Sequence, residues 1–152
     1  MSLPPTWDLF GEDHIPHRLQ LLAKMIDRET SKQLQREFGM SIAEWRVRAY
    51  ICAAGPASAA DVGAASAIDR AEVSRAVAKL ERDALIARTV DPNHRKRLIL
   101  EPTAAGRESF TRIRGQRRRY FQMIMSDIPL QTREQLNSAL RTIALGVQQA
   151  VI

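Results

Sequence analysis

The chain has 152 residues, 45% of them hydrophobic and 26% charged, with a formal net charge of +6. That length makes one domain, or one domain with appendages, and buries roughly 70% of its extended surface, so a core needs no covalent help. The composition excludes a wholly disordered chain, the lack of any apolar run near ~18 residues excludes a transmembrane helix, and a single cysteine, Cys52, excludes an internal disulfide.

The basic balance favours anionic partners, nucleic acid or a membrane surface. With 19 Arg, 4 Lys and 21 Ala, nucleotide composition alone could also produce it. Met1–Phe10 has no basic start followed by an apolar stretch, so no secretory signal is read and a cytoplasmic location is expected.

Residues 1–12, with Pro4, Pro5 and Gly11 and no period, read as an arm. From about His14 to Phe38 the apolar positions Ile15, Leu19, Leu22, Ile26, Leu34 and Phe38 share one helical face, and Gly39 stops the helix. Ser41-Ile-Ala-Glu44 is a capping box that opens a second helix, Ile42 to about Ala54. Ser58-Ala-Ala-Asp61 opens a third, to about Ser66, and Asp69-Arg-Ala-Glu72 a fourth, to about Asp83. The period then changes. Leu85–Val90 and Arg97–Glu101 are β-prone runs around the turn signal Asp91-Pro92-Asn93, which predicts a hairpin with a basic loop, His94-Arg95-Lys96-Arg97. By strand alternation one of the three basic residues turns inward, and Arg97 is expected to serve structure through an ion pair. Thr103 is the N-cap of a fifth helix. Pro129 precedes a last helix with Leu136, Leu140, Ile143, Val147 and Val151 on one face.

Two short helices with a tight turn, followed at once by a basic hairpin, form a winged helix-turn-helix. The expected fold class is therefore mainly α with a small β-hairpin wing. The first helix and the last two carry apolar faces that one small lobe cannot fully bury, which points to a homodimer. Residues 40–106 form the winged lobe, and 13–38 with 107–152 the helical dimerisation region.

The chain resembles the MarR family of bacterial transcriptional regulators. The resemblance lies in Phe38–Trp45, in Asp69–Arg82, in Leu85-Ile86-Ala87-Arg88 with Asp91-Pro92, and in Leu100–Gly106, where the family has Leu-x-Leu-Thr-x-x-Gly. It implies double-stranded DNA as a partner, with Arg70, Ser74, Arg75 and Lys79 on the recognition helix and Arg95 and Lys96 on the wing. It also implies a repressor acting as a homodimer. A small aromatic or anionic effector would bind between the dimer helices and the lobe, with His17, Trp45 and Arg48 as candidate lining residues. Three positions depart from the family pattern. His94-Arg95-Lys96 stands where the family has Asp-Arg-Arg, so no wing aspartate orients the arginine. Ala84 replaces a glycine, and strain of roughly 1 kcal/mol is expected if its backbone is left-handed. Pro102 replaces a leucine.

Other readings compete with these. The arginines at 112, 114, 117, 118 and 119 are expected to pair with Asp27, Glu29 or Glu37 or to face solvent. Cys52 reads as a buried small apolar residue rather than a redox sensor. His14 and His17 lack the further ligands of a metal site, and neither a catalytic constellation nor a cofactor loop is present, so no metal, cofactor or enzymatic activity is expected. The alternative function is a winged-helix protein-interaction module that has lost DNA binding.

Overall fold

The computed structural model describes residues 2–91 and 93–150, without the side chains of Arg95 and Lys96. Its elements run α1 (Ile15–Phe38), α2 (Ile42–Ala53), α3 (Ala59–Ser66), α4 (Arg70–Arg82), β1 (Ile86–Asp91), β2 (His94–Pro102), α5 (Ala104–Ile124) and α6 (Leu130–Gln149). Two compact units result, Met1–Phe110 and Thr111–Ile152, with α5 running across the division. Among the described residues no helix is long and apolar enough to cross a membrane.

Helix ends follow from local chemistry. Gly39 ends α1 in the left-handed region at φ 59°, its N–H bonded to Gln35 O. Ser41, Ser58 and Asp69 each accept a hydrogen bond from the backbone N–H three residues on, at 3.1, 3.2 and 2.8 Å. The reciprocal carboxylate bond of a full capping box forms at Ser58, whose N–H donates to Asp61 Oδ2 at 3.2 Å. Glu44, expected to do the same for Ser41, is buried instead, with Oε2 3.7 Å from Lys79 Nζ of α4.

The core of the first unit lies among α2, α3, α4 and the hairpin. Ala43, Val47 and Ile51 come from α2, Val62 from α3, and Val73, Ala76, Val77 and Leu80 from α4, closed by Ile86 and Leu100 of the wing. The steps of four on α2 and of three, one and three on α4 are the helical stripe that a one-sided core requires. Because one side of α4 is spent on this core, its other side is left to solvent.

The wing is an antiparallel pair in which Ile86 faces Pro102 and Val90 faces Leu98. The next pair is Asp91 with His94, so three residues of β2 oppose a single step of β1. The basic run 94–97, predicted as a loop, is therefore strand. Of the predicted turn, Asp91 is the last residue of β1, and Pro92 lies outside the described residues. Asp91 Oδ1 accepts from the Asn93 N–H at 2.8 Å, an Asx turn that closes the tip. At its base the hairpin gains a bridge to the segment before α3, with Leu100 N–H donating to Ala57 O at 2.8 Å.

Thr103 caps α5 as expected. Its hydroxyl accepts from the Gly106 N–H at 3.0 Å and donates to Ala84 O at 2.7 Å. Ala84 has φ 54°, the strained backbone anticipated for an alanine in a glycine's place, and Ala67 shares that conformation at φ 51°. Residues 4–11, within the predicted arm, form successive turns tied to α1. Asp8 pairs with Arg18, and His17 Nε2 donates to Thr6 O at 2.8 Å.

In the second unit, the Arg117 guanidinium lies 4.9 Å from the Phe121 ring centre, and Arg133 Nε donates to Ile128 O at 2.7 Å ahead of α6. None of the residues of α6 is buried.

Candidate nucleic-acid interface

α4 presents Arg70, Ser74 and Arg75 to solvent, while Val73, Ala76, Val77 and Leu80 hold its other side in the core. Arg70 and Ser74 are one helical step of four apart and therefore stand in line along the exposed side. Clefts flank the helix on both sides. One, of about 680 Å³, includes Ser31, Ser41, Arg75 and Arg82 in its lining. The other, of about 690 Å³, includes Arg70, Ser74, Arg88 and Leu98. The helix thus stands proud between two grooves with a hydroxyl and two guanidinium groups on its open side. Donor groups of this kind suit base edges and phosphates.

Lys79, the fourth residue assigned to this helix, is held differently. Its ammonium is 2.6 Å from Asp83 Oδ2 and 3.7 Å from Glu44 Oε2. The hydrogen bond that Lys79 donates to Asp83 raises the Lys79 pKa, and the same bond holds the Asp83 carboxyl below its usual range. Lys79 therefore ties α4 to α2 and to its own last turn.

The backbone of β2 carries Arg95 and Lys96 along the wing; the positions of their side chains lie outside the described structure. Arg97 has the structural ion pair anticipated for it, with Asp61 of α3, and also donates to Ser58 Oγ at 3.3 Å. Hydrogen bonding from Ser58 and the charge of Arg97 lower the Asp61 pKa against its desolvation. Arg88 of β1 binds Glu81 at 2.8 Å, fastening the base of the wing to α4. Sequence reasoning did not single out Arg88, although it lines the same cleft as Arg70 and Ser74. An arginine in a short strand has the same signature whether it is solvated or functional.

The three candidate effector residues fall into two places. His17 belongs to the arm cluster, with its ring 4.8 Å from that of Phe10. Trp45 stacks on Phe110 at 5.6 Å, and Arg48, three residues on, is fully buried. The Arg48 guanidinium donates to Ser109 Oγ at 3.0 Å and to Met40 Sδ at 3.3 Å. Arg48 thus fastens α2 to the start of α5.

The carboxylates expected to meet the α5 arginines have partners on α1 and α2. Asp27 takes Arg46 Nη2 at 2.8 Å, Glu29 takes Lys32 at 2.8 Å and Glu37 takes Arg36 at 3.0 Å. Arg112, Arg114, Arg118 and Arg119 are exposed. Cys52 is half-buried, and desolvation pushes its thiol pKa up, opposite to what a reactive thiol needs.

Three helices, α2, α3 and α4, packed about one core, with α4 keeping an open side and a hairpin fastened beside it, make a winged helix-turn-helix fold. The sequence model of the MarR family matches residues 38–97, which span most of the winged lobe. Solved structures share the fold. A MarR/EmrR family transcriptional regulator from Acinetobacter sp. ADP1 superposes with a TM-score of 0.78 at 21% identity, over 90% of this chain and 96% of that one. The transcriptional regulator BldR from Sulfolobus solfataricus gives 0.72 at 22% identity, over 88% and 98%. MepR of S. aureus, in a structure described as a MepR–DNA complex, gives 0.73 at 19% identity, over 90% and 99%. No curated protein matches the sequence.

Proposed function

We propose that this protein is a homodimeric, sequence-specific DNA-binding transcriptional regulator, a repressor that a small aromatic or anionic effector releases from DNA. The observation that carries the reading is α4, which turns Arg70, Ser74 and Arg75 outward while its opposite side is locked in the core. A major groove about 12 Å wide accepts one such helix. The likeness to a protein solved with DNA supports the same partner here.

Dimerisation is supported by apolar surface without cover in a single chain. Ile15, Leu22 and Met25 of α1 and Leu136, Leu140, Ile143 and Val147 of α6 are all exposed. Burying one such side chain contributes roughly 1.5–3 kcal/mol. Two copies would carry a formal +12, twice +6, and set two recognition helices about 34 Å apart, one DNA turn. Repression follows the commoner role in the family, and an effector acts by preferring a lobe separation that does not fit DNA.

Selection of bound duplexes from a random pool at two salt concentrations tests the reading. The expected product is an inverted repeat with half-sites about ten base pairs apart, bound less tightly at higher salt. Recovery of no preferred sequence contradicts it and favours a protein-interaction module. A monomer at micromolar concentration contradicts the dimer.

A further inference from the structure

His94 stands in the wing where the MarR resemblance implies an acidic residue. The structure supplies a carboxylate from another element. Asp61, in the first turn of α3, accepts from the Ser58 N–H at 3.2 Å and from the Ser58 hydroxyl at 2.7 Å, and it pairs with the Arg97 guanidinium. Arg97 also reaches Ser58 Oγ, so the contact closes a three-residue network between β2 and the N-terminus of α3. Three residues further along β2, Leu100 exchanges both backbone hydrogen bonds with Ala57, at 2.8 and 3.3 Å. The backbone bridge fixes the base of the hairpin. The side-chain pair acts closer to the tip, from Arg97, the last of the three extra residues of β2. Among the described residues, what remains beyond Leu98 without that pair is the ladder and the Asp91–Asn93 turn, and a two-stranded ribbon is only marginally ordered by its own ladder.

We propose that the Asp61–Arg97 pair is a latch that fixes the wing's reach, making Arg97 and Asp61 positioning residues for recognition of DNA flanking the half-site. The network takes the place of the missing wing aspartate, acting from α3 rather than from within the wing. It leaves Arg95 and Lys96, the two residues before Arg97 in β2, as the groups delivered to the flank. This inference rests on the DNA-binding reading above. Arg97 itself touches no DNA in it, since its guanidinium is engaged by Asp61 and Ser58.

The two members of the pair are about half exposed, at 45% and 47% of side-chain surface. A pair so exposed adds little to global stability. It shifts a local equilibrium by about threefold, and two wings per dimer square that to about tenfold.

The test compares two duplexes, the selected operator with its flanks and the same operator trimmed to its half-sites. Arg97→Met, which keeps length and loses charge, is expected to weaken binding of the flanked duplex about tenfold while changing the trimmed one by less than about twofold. Arg97→Lys recovers part of the difference. Asp61→Asn reproduces the Arg97→Met effect, and the double variant is no worse than either single one. Equal losses on both duplexes indicate a merely structural role and overturn the proposal, as does no loss on either. Hydrogen exchange in the DNA-free protein is the second readout. Arg97→Met is expected to speed exchange of the β1 and β2 amides while leaving those of α4 unchanged. Unchanged wing exchange overturns the latch whatever the DNA result. Native protein that prefers no sequence overturns the DNA-binding reading instead, and with it the latch's role in recognition, while the exchange result still decides whether the latch exists.

Discussion

Gly106→Ala is the sharpest structural perturbation available. A Cβ built on Gly106 lies 1.9 Å from the carbonyl oxygen of Leu85, against an ordinary contact of 3.4–4 Å. The obstacle is backbone, so no side-chain rotation relieves it, and the start of α5 must separate from the start of the wing by about 1.5 Å to reach ordinary contact. Two hydrogen bonds span that junction, Thr103 N–H to Leu85 O at 3.1 Å and the Thr103 hydroxyl to Ala84 O at 2.7 Å. Losing them costs about 1 kcal/mol each, and overpacking adds roughly 1–3 kcal/mol, for a total of about 3–5 kcal/mol. Against a stability of roughly 5–15 kcal/mol that is a large fraction. With a urea slope near 2 kcal/mol/M, the midpoint falls by about 1.5–2.5 M. Native and variant are compared by circular dichroism at one protomer concentration, since dimerisation makes the midpoint concentration-dependent. A shift below about 0.3 M refutes the reasoning, because it means α5 moves away from Leu85 at almost no cost.

Ala84→Gly acts in the opposite direction. Relief of about 1–2 kcal/mol of left-handed strain, less about 0.4–1 kcal/mol of added unfolded-state entropy, raises stability by about 0.5 kcal/mol and Tm by about 1–2 °C in thermal scans. Asp61 has a folded pKa below its ordinary value, so its contribution to stability is present above about pH 4 and is lost as pH falls through the folded pKa. In Tm-against-pH profiles, Asp61→Asn is expected to lie below native at neutral pH and to converge with it at acid pH; a constant gap contradicts this. Cys52, with its thiol pKa raised by burial, is expected to be alkylated by iodoacetamide more slowly than a free cysteine at pH 7.5. Faster reaction reopens the redox-sensor reading.

The sequence made much of this molecule legible because its local signals agree with its packing. Ser58 and Asp61 spell out the α3 N-terminus, Gly39 the end of α1, and the apolar stripe Val73, Val77, Leu80 the inner side of α4. The left-handed Ala84 followed from a residue replacing glycine; Arg97 has the ion pair expected of it but stays exposed rather than turned inward, because residues 95–97 fall between ladder pairs and break the strand alternation. The failures share a cause. His94–Arg97 reads as a loop in the sequence because a solvated strand and a solvated turn carry the same polar residues, and the bulge that separates them is fixed by register with β1. Arg48 resembles a surface residue until Ser109, 61 positions away, is seen to receive its guanidinium. The Lys79–Asp83 contact is an i,i+4 pair visible along one helix, whereas Glu44 reaches Lys79 only through the packing of α2 on α4. Partners distant in sequence decide whether a charge is offered to a ligand or used to hold the fold.

The central claim is that the open side of α4, rather than net basic charge, recognises DNA. Arg75→Ala and Arg118→Ala each remove one exposed positive charge, the first from α4 and the second from α5. Their affinities for the selected operator, measured by fluorescence anisotropy at one salt concentration, test the claim directly. The account predicts a loss of about 10- to 100-fold for Arg75→Ala, and of less than about threefold for Arg118→Ala. Equal losses for the two variants would contradict it.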